Sequence, residues 1–321
     1  MHRCYIGIDL GSTTTKAVFL DENENMLGRG ITNSRSNYEV ACTVAREEAE
    51  ISTRFILLKK TLEANPHIGA RSTELMAWLS CKYALAQHLR QLSALKHECL
   101  SILALGHLSD TEKSADDNAI NRIFSELESQ TDACFGPNLP KRSDFFRDIA
   151  SSGYLKEAAR VAKEAGLSFD RLVGYFDSAI IRVENQSFAR FYEEYLALAC
   201  RETTAEARFQ PYENDIVKAV EDTANTTFDI LNTVGTGYGR LTLPFPKEQI
   251  RSEILCHGLG AHIMHPRTAT VLDIGGQDTK AIQVDPEGIV ESFQMNDRCA
   301  AGCGRYLGYI ADEMNLGLHE L

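Results

Sequence analysis

The strongest constraint on what this chain can fold into is a short pattern that occurs twice. Near the N-terminus, Asp9-Leu10-Gly11-Ser12-Thr13-Thr14-Thr15-Lys16 lies between two strand-like runs. Far along the chain, Asp273-Ile274-Gly275-Gly276-Gln277-Asp278-Thr279-Lys280 repeats the design: apolar strand, Asp, glycine turn, hydroxyl, Lys. Glycine lets the backbone turn tightly, so successive N–H groups and short hydroxyls such as Ser12, Thr13 and Thr14 can point into one concavity where an anion fits. Asp9 does not favour a phosphate directly; its use would be to hold Mg2+ or its water shell. Lys16 can neutralise a phosphate oxygen, although an outward-facing strand lysine is equally cheap. One such motif is compatible with an ordinary hairpin. Two can grip a phosphate chain from opposite sides, hold Mg2+ and place a water for in-line attack, which is most of what phosphoryl transfer requires. No Gly-x4-Gly-Lys-Ser/Thr occurs, so this is not a Walker motif. Strand rather than helix follows each glycine turn, which excludes a dinucleotide fingerprint.

A further turn, Gly235-Thr236-Gly237-Tyr238-Gly239-Arg240, ends a strand. Glu253, on the helix that follows, is a candidate to orient the attacking water, and a solvated helix carboxylate is the alternative. The residues expected to do chemistry are Asp9, Glu253, Asp273 and Gln277. Those expected to hold nucleotide are Gly11, Ser12, Thr13, Thr14, Lys16, Gly235, Gly237, Gly275 and Gly276.

The intervening chain changes texture. Short strands are expected over Cys4–Asp9, Thr14–Leu20 and Met26–Ile31, a three-stranded meander. Val40, Val44, Ile51, Phe55, Leu58 and Leu62 form one helical stripe ended by Pro66. Leu75, Trp78, Leu79, Leu85, Leu89, Leu92 and Leu95 form another, with Ser72 as the expected N-cap. Further helices fit Asn118–Leu127, Leu155–Ala165 and Ser187–Cys200. After Phe228 come a strand to Val234, a helix over Lys247–Met264, and strands Thr270–Ile274 and Thr279–Val284. A last helix is expected over Cys299–Asn315. No repeat or low-complexity tract is visible in the helical stretch from about Tyr38 to Asn225.

Bulk properties narrow the class. The 321 residues are 44% hydrophobic and 24% charged, enough for two domains with a real core. A net charge of -12 without a long Lys/Arg run argues against a nucleic-acid partner. No apolar run reaches the ~18 residues of a membrane span, and the N-terminus lacks a signal-peptide core, so a cytoplasmic location is expected. The nine cysteines are then read as thiols. Asn296-Asp297-Arg298-Cys299-Ala300-Ala301-Gly302-Cys303-Gly304-Arg305 is unusual: small residues let another surface or a cluster approach, and a helix N-terminus favours a thiolate. Zinc does not fit Cys-x3-Cys spacing. A cluster shared between two subunits and a buried structural cysteine both remain open on spacing alone.

Together these motifs resemble the BadF/BadG/BcrA/BcrD-type ATPases. The resemblance covers about residues 5–37 and 231–321. It rests on Gly7 to Lys16, Gly235 to Arg240, Asp273 to Asp278 and Met295 to Gly302. It implies an actin/Hsp70/hexokinase-like (ribonuclease H-like) α/β ATPase. Residues 1–37 and 226–268 would form the first ATPase domain, 38–225 a large helical insertion, and 269–321 the start of an incomplete second domain. The long insertion and Gly28 to Tyr38 look most like the ATPase subunit of an ATP-dependent benzoyl-CoA reductase. That likeness implies ATP, Mg2+ and a [4Fe-4S] cluster shared with a homologous second ATPase subunit. Cys299 would be one ligand and Cys303 a neighbour. Ferredoxin would supply the electron, and partner subunits would bind and reduce benzoyl-CoA. The second ligand cysteine and the adenosine-binding glycines of the family would lie beyond the helix on which this chain ends, so an N-terminal portion is expected. An activator of a 2-hydroxyacyl-CoA dehydratase, a metabolite kinase on the same scaffold and a chaperone-like ATPase are the alternatives.

Overall fold

The computed structural model describes the chain apart from residues 1, 35–36, 140–142, 144, 238, 240–244, 297–305, 308–309, 312 and 315–321. It divides into two compact units, one of residues Met1–Thr53 with Thr227–Leu321, the other Arg54–Thr226.

The first unit holds two sheets. Strands β1 (His2–Leu10), β2 (Thr14–Asp21), β3 (Met26–Asn33) and β4 (Phe228–Thr236) form a sheet of order β3-β2-β1-β4. Alternation along β1 sends Cys4, Ile6, Ile8 and Leu10 to the buried face, where they meet Ala17, Phe19 and Leu27. β4 runs parallel to β1, so a crossover must join them, and the helices between residues 38 and 224 lie within it. Strands β5 (Thr270–Ile274), β6 (Thr279–Val284) and β7 (Val290–Asn296) form a separate antiparallel sheet.

The two copies of the pattern also match in strand register. Asp9 pairs with Lys16 across β1 and β2, and Asp273 pairs with Lys280 across β5 and β6. Lys16 then faces Ile31 on the third strand, as Lys280 faces Met295. Each middle strand breaks register at the matching place, between Phe19 and Leu20 in one and between Gln283 and Val284 in the other. The two meanders share one backbone design, bulge included, around the repeated Asp-(Leu/Ile)-Gly pattern.

Helix α1 (Tyr38–Ala64) corrects the first apolar stripe. Its early turns bury the small residues Ala41, Cys42, Ala45 and Ala49, while Val40 and Val44 are only partly covered. The reason is close approach to β3: a Cβ on Gly28 would stand 2.5 Å from the Thr53 nitrogen and 2.7 Å from the Ala49 carbonyl. Helix backbone therefore lies against strand backbone, and a larger residue there would push the two apart.

The second unit is helical: α2 (Ser72–Leu105), α3 (Asp110–Thr131), α4 (Phe146–Ala165), α5 (Phe169–Glu184), α6 (Tyr192–Thr204) and α7 (Glu213–Ala224). Its core gathers Leu92, Leu95, Cys99, Phe124, Tyr154 and Phe176 from α2 to α5. Within that core Asp116, fully buried, accepts from Arg171 Nε at 2.7 Å, Arg171 Nη2 at 2.8 Å and the Tyr175 hydroxyl at 2.8 Å. Leu89, expected on the buried stripe of α2, is exposed. Ser72 is the first residue of α2 rather than its cap, because a 3-10 turn over Gly69–Arg71 runs straight into the helix and the Ser72 hydroxyl donates to Gly69. The helix expected from Ser187 begins at Tyr192 after another such turn.

The expected helix Lys247–Met264 is also divided. Lys247–Gln249 form a 3-10 turn, Ile250 bridges to Gly235, and helix α8 (Glu253–Met264) starts after Ser252. α8 lies on the second sheet, where Gly258 fits against Val290, Ile282 and Val284. Among the described residues no helix is long and apolar enough to cross a membrane.

Candidate functional site

The first hairpin is held open by hydrogen bonds that its turn residues require. Gly11 N–H donates to the Thr14 carbonyl at 3.2 Å, and the Thr13 carbonyl accepts from Ser34 N–H at 2.9 Å. Beneath it the buried Thr15 and Ser34 hydroxyls lie 2.9 Å apart. Ser12, Thr13 and Thr14 are left at the surface of the loop, partly or fully exposed. Lys16, half exposed, donates to Asp9 Oδ2 at 3.2 Å.

The turn after β4 closes over this loop. Gly237 adopts φ 98°, a conformation open to glycine, and the backbone passes so near that a Cβ there would stand 2.5 Å from the Leu10 carbonyl and 2.6 Å from Asp9 Oδ1. Gly239 N–H donates to the Leu10 carbonyl at 3.0 Å, and the Gly235 carbonyl accepts from Arg251 N–H at 2.9 Å. Asp9 Oδ1 is buried beneath Gly237 and, among the described residues, has no hydrogen-bond partner. A buried carboxylate oxygen left unpaired costs free energy unless a cation or an ordered water meets it. The residues therefore fit Mg2+ or its water shell at Asp9. Tyr238 and Arg240 of this turn lie outside the described residues.

The second hairpin repeats the first. Gly275 N–H donates to the Asp278 carbonyl at 2.8 Å, matching Gly11 and Thr14. Its next residue meets the first loop: a Cβ on Gly276 would run into the Thr13 side chain. The two turns thus face each other at Thr13 and Gly276, an approach that only a glycine at this position permits. Gln277 at the tip is exposed.

Helix α8 brings two side chains to the second hairpin from one face, one turn apart. Glu253 Oε1 accepts from Lys280 Nζ at 3.0 Å, and His257 Nδ1 lies 2.8 Å from Asp273 Oδ2. Lys280 Nζ also donates to Asp278 Oδ1 at 2.9 Å and to Asp273 Oδ2 at 3.4 Å. Burial opposes the charge on Lys280, but Asp278, Glu253 and Asp273 overcome it and hold the ammonium well above the usual lysine range. Burial alone would raise the Asp273 carboxyl; the hydrogen bond from His257 and the Lys280 charge bring it below the ordinary value instead. Glu253, His257 and Asp273 are the one group of three metal-ligating side chains that converge among the described residues. The Lys280 ammonium already sits against two of them, so the arrangement reads as an ion-pair network.

Cys256, between Glu253 and His257, ties the two halves together. Burial raises its thiol, and the Asp9 and Glu253 carboxylates add to this while a Thr236 hydrogen bond opposes it. Thr236, paired with Asp9, donates its hydroxyl to the Arg251 carbonyl at 2.9 Å, and Glu253 accepts from Lys280, so the start of α8 lies near both hairpins. Of the expected residues, Asp9, Lys16 and Gly237 converge, Thr13 meets Gly276, and Glu253 joins Asp273 through Lys280. Cys299 and Cys303 lie outside the described residues. Among the described cysteines, Cys4, Cys42, Cys99 and Cys200 are buried, with Cys42 and Cys99 pushed up by burial to about 11 and about 12. His257 went unread in the sequence; its signal was the Glu-x3-His spacing, which puts both groups on one helix face.

Residues 6–321 match the model of the BadF/BadG/BcrA/BcrD ATPase family. The activator of lactoyl-CoA dehydratase from Anaerotignum propionicum is 45% identical over 104 residues, 32% of this chain and 40% of that protein. The (R)-2-hydroxyglutaryl-CoA dehydratase activating ATPase of Acidaminococcus fermentans is 44% identical over 93 residues, 29% of this chain and 35% of the relative. A benzoyl-CoA reductase polypeptide of Thauera aromatica is 37% identical over 65 residues, 20% of this chain and 23% of the relative. The chain thus spans well under half the length of these relatives.

Proposed function

This chain belongs to the BadF/BadG/BcrA/BcrD ATPase family, and from that premise we propose that it hydrolyses ATP between its two hairpins to energise an electron for a partner enzyme acting on a CoA ester. The observation that carries the reading is the facing of two register-matched turns, Thr13 against Gly276, beside the unpaired buried oxygen of Asp9. The loop of Gly11 to Thr14, with the hydroxyls of Ser12, Thr13 and Thr14, receives phosphate oxygens from one side, and Gly275 and Gly276 approach them from the other. Lys16 offsets phosphate charge. Gly235 and Gly237 keep the third turn close enough to wall the site.

Asp9 would hold Mg2+ or a water of its shell; the ion, when bound, neutralises charge on the phosphates. Asp273 and Glu253, from strand and helix, orient the attacking water, with Gln277 reaching in from the loop tip. Losing one such oriented group costs on the order of 10²-fold in rate.

Cys299 would give one thiolate to a [4Fe-4S] cluster shared with a homologous second ATPase subunit. The cluster supplies, when bound, a one-electron carrier of low potential. This follows from the resemblance of Met295 to Gly302 to the family motif. Ferredoxin is the proposed donor. The higher identities to two dehydratase activators favour a 2-hydroxyacyl-CoA dehydratase as the partner enzyme. Benzoyl-CoA reductase is the second reading, supported by the similarity to the Thauera aromatica reductase polypeptide.

The test is anaerobic isolation of the native complex, with ATPase activity, iron, acid-labile sulfide and EPR measured for wild type and Cys299→Ser. ATP hydrolysis with a cluster signal lost in the variant, and co-purifying dehydratase subunits, are expected. An iron-free complex would remove the electron-transfer role, and reductase subunits would replace the partner. Absence of ATP hydrolysis would remove the whole reading.

A further inference from the structure

The two hairpin lysines occupy equivalent positions, each opposite the aspartate that ends the preceding strand. Their surroundings differ. Lys16 is half exposed and, among the described residues, donates to one carboxylate, Asp9, so two of its three N–H groups remain for an anion in the loop. Lys280 is 2% exposed and its three N–H groups meet three carboxylates, Asp278, Glu253 and Asp273. Nothing is left on Lys280 for a phosphate. Its partners come from three separate elements: the turn, helix α8 and strand β5.

We propose that Lys280 is the positioning residue of the site, binding no nucleotide itself but holding Glu253 of α8 and Asp273 of β5 in the arrangement that orients the attacking water. The proposal rests on the ATPase reading above and assigns the two lysines of the duplicated hairpin opposite tasks, Lys16 to substrate charge and Lys280 to the geometry of the carboxylates. A buried ammonium shared by three carboxylates is directional: removing it leaves like charges a few ångströms apart, and they separate or take up protons. The water then loses its orienting groups while the phosphate cradle of Gly11 to Lys16 stays intact.

The experiment measures binding of a fluorescent ATP analogue and steady-state ATP hydrolysis by the native complex, as wild type, Lys16→Met, Lys280→Met, Lys280→Arg, Glu253→Gln and the double variant Lys280→Met/Glu253→Gln. Lys16→Met is expected to weaken nucleotide binding about tenfold or more; Lys280→Met should leave binding within about threefold of wild type yet lower kcat about 50-fold or more. Lys280→Arg keeps the charge and should recover part of kcat. The double variant should be no slower than the worse single variant, because both remove the same arrangement.

Loss of binding in Lys280→Met as large as in Lys16→Met would overturn the proposal, as would an unchanged kcat. Should Lys280→Met not fold, Glu253→Gln and Lys280→Arg decide: binding kept in both, with kcat lost in the first and partly kept in the second, supports the proposal, and loss of binding in parallel with kcat overturns it. A wild-type native complex that neither binds nor hydrolyses ATP overturns the ATPase reading and this proposal together. An active wild type with the wrong split overturns this proposal alone.

Discussion

Replacing Gly237 by alanine tests the closure of the third turn over Asp9. Two costs combine. An L-residue at φ 98° carries left-handed backbone strain of about 1–2 kcal/mol. The added methyl would also stand 2.5 Å from the Leu10 carbonyl and 2.6 Å from Asp9 Oδ1, far inside contact distance. The carbonyl cannot simply withdraw, because Gly239 N–H holds it at 3.0 Å. Overpacking against backbone of this kind adds about 1–3 kcal/mol, so the total is about 2–5 kcal/mol. Gly166 is the matched control: it ends α4 at φ 66° with no atom within 4 Å of an added Cβ, leaving about 1–2 kcal/mol of strain alone. Urea unfolding of the two variants, each read in the transition of the unit that carries it, should place Gly237→Ala about 1–3 kcal/mol above Gly166→Ala. The same substitution should lower ATP hydrolysis, since Asp9 must move. Equal costs for the two variants would refute the close approach of the third turn to Asp9.

Other outcomes follow from single groups. Arg171→Met should destabilise the helical unit by about 3–5 kcal/mol in urea unfolding, because it strips a bidentate partner from the fully buried Asp116. His88, packed against the rings of Phe135 and Phe146, is lowered by burial from 6.5 to about 4. A base lowered on folding contributes stability that is present above its unfolded pKa and lost as pH falls. About 3 kcal/mol should therefore disappear between pH 6.5 and about 4, and His88→Phe should flatten that slope in pH-dependent melts. Asp9→Asn should lower kcat for ATP hydrolysis by about 10²-fold in the coupled phosphate-release assay, with added Mg2+ failing to restore it.

The duplicated Asp-(Leu/Ile)-Gly turn was legible in the chain because local rules govern it. Strand alternation has a period of two, the loop has a fixed length, and so the residues that face each other across each hairpin are set within a few positions of the turn. The buried face of β1 and the helical character of the middle of the chain were readable for the same reason.

Errors arose where a neighbour distant in sequence changed what a residue could bury. The valines of early α1 follow helical spacing, yet Ala41, Ala45 and Ala49 face inward because Gly28 and Gly30 of β3 bring backbone against backbone. The predicted helix from Lys247 starts instead at Glu253, because Ile250 and Arg251 bond to Gly235 of β4.

By itself, then, the sequence determined the two glycine turns with their aspartates and lysines, since each depends on contiguous residues. Tertiary structure alone decided that Thr13 faces Gly276, that Asp9 keeps an unpaired oxygen, and that one hairpin lysine is open while its counterpart is enclosed. That last difference comes from α8, whose Glu253 packs over one copy of the hairpin. Two nearly identical motifs carry no local record of which will be covered, because burial is a property of what folds against them.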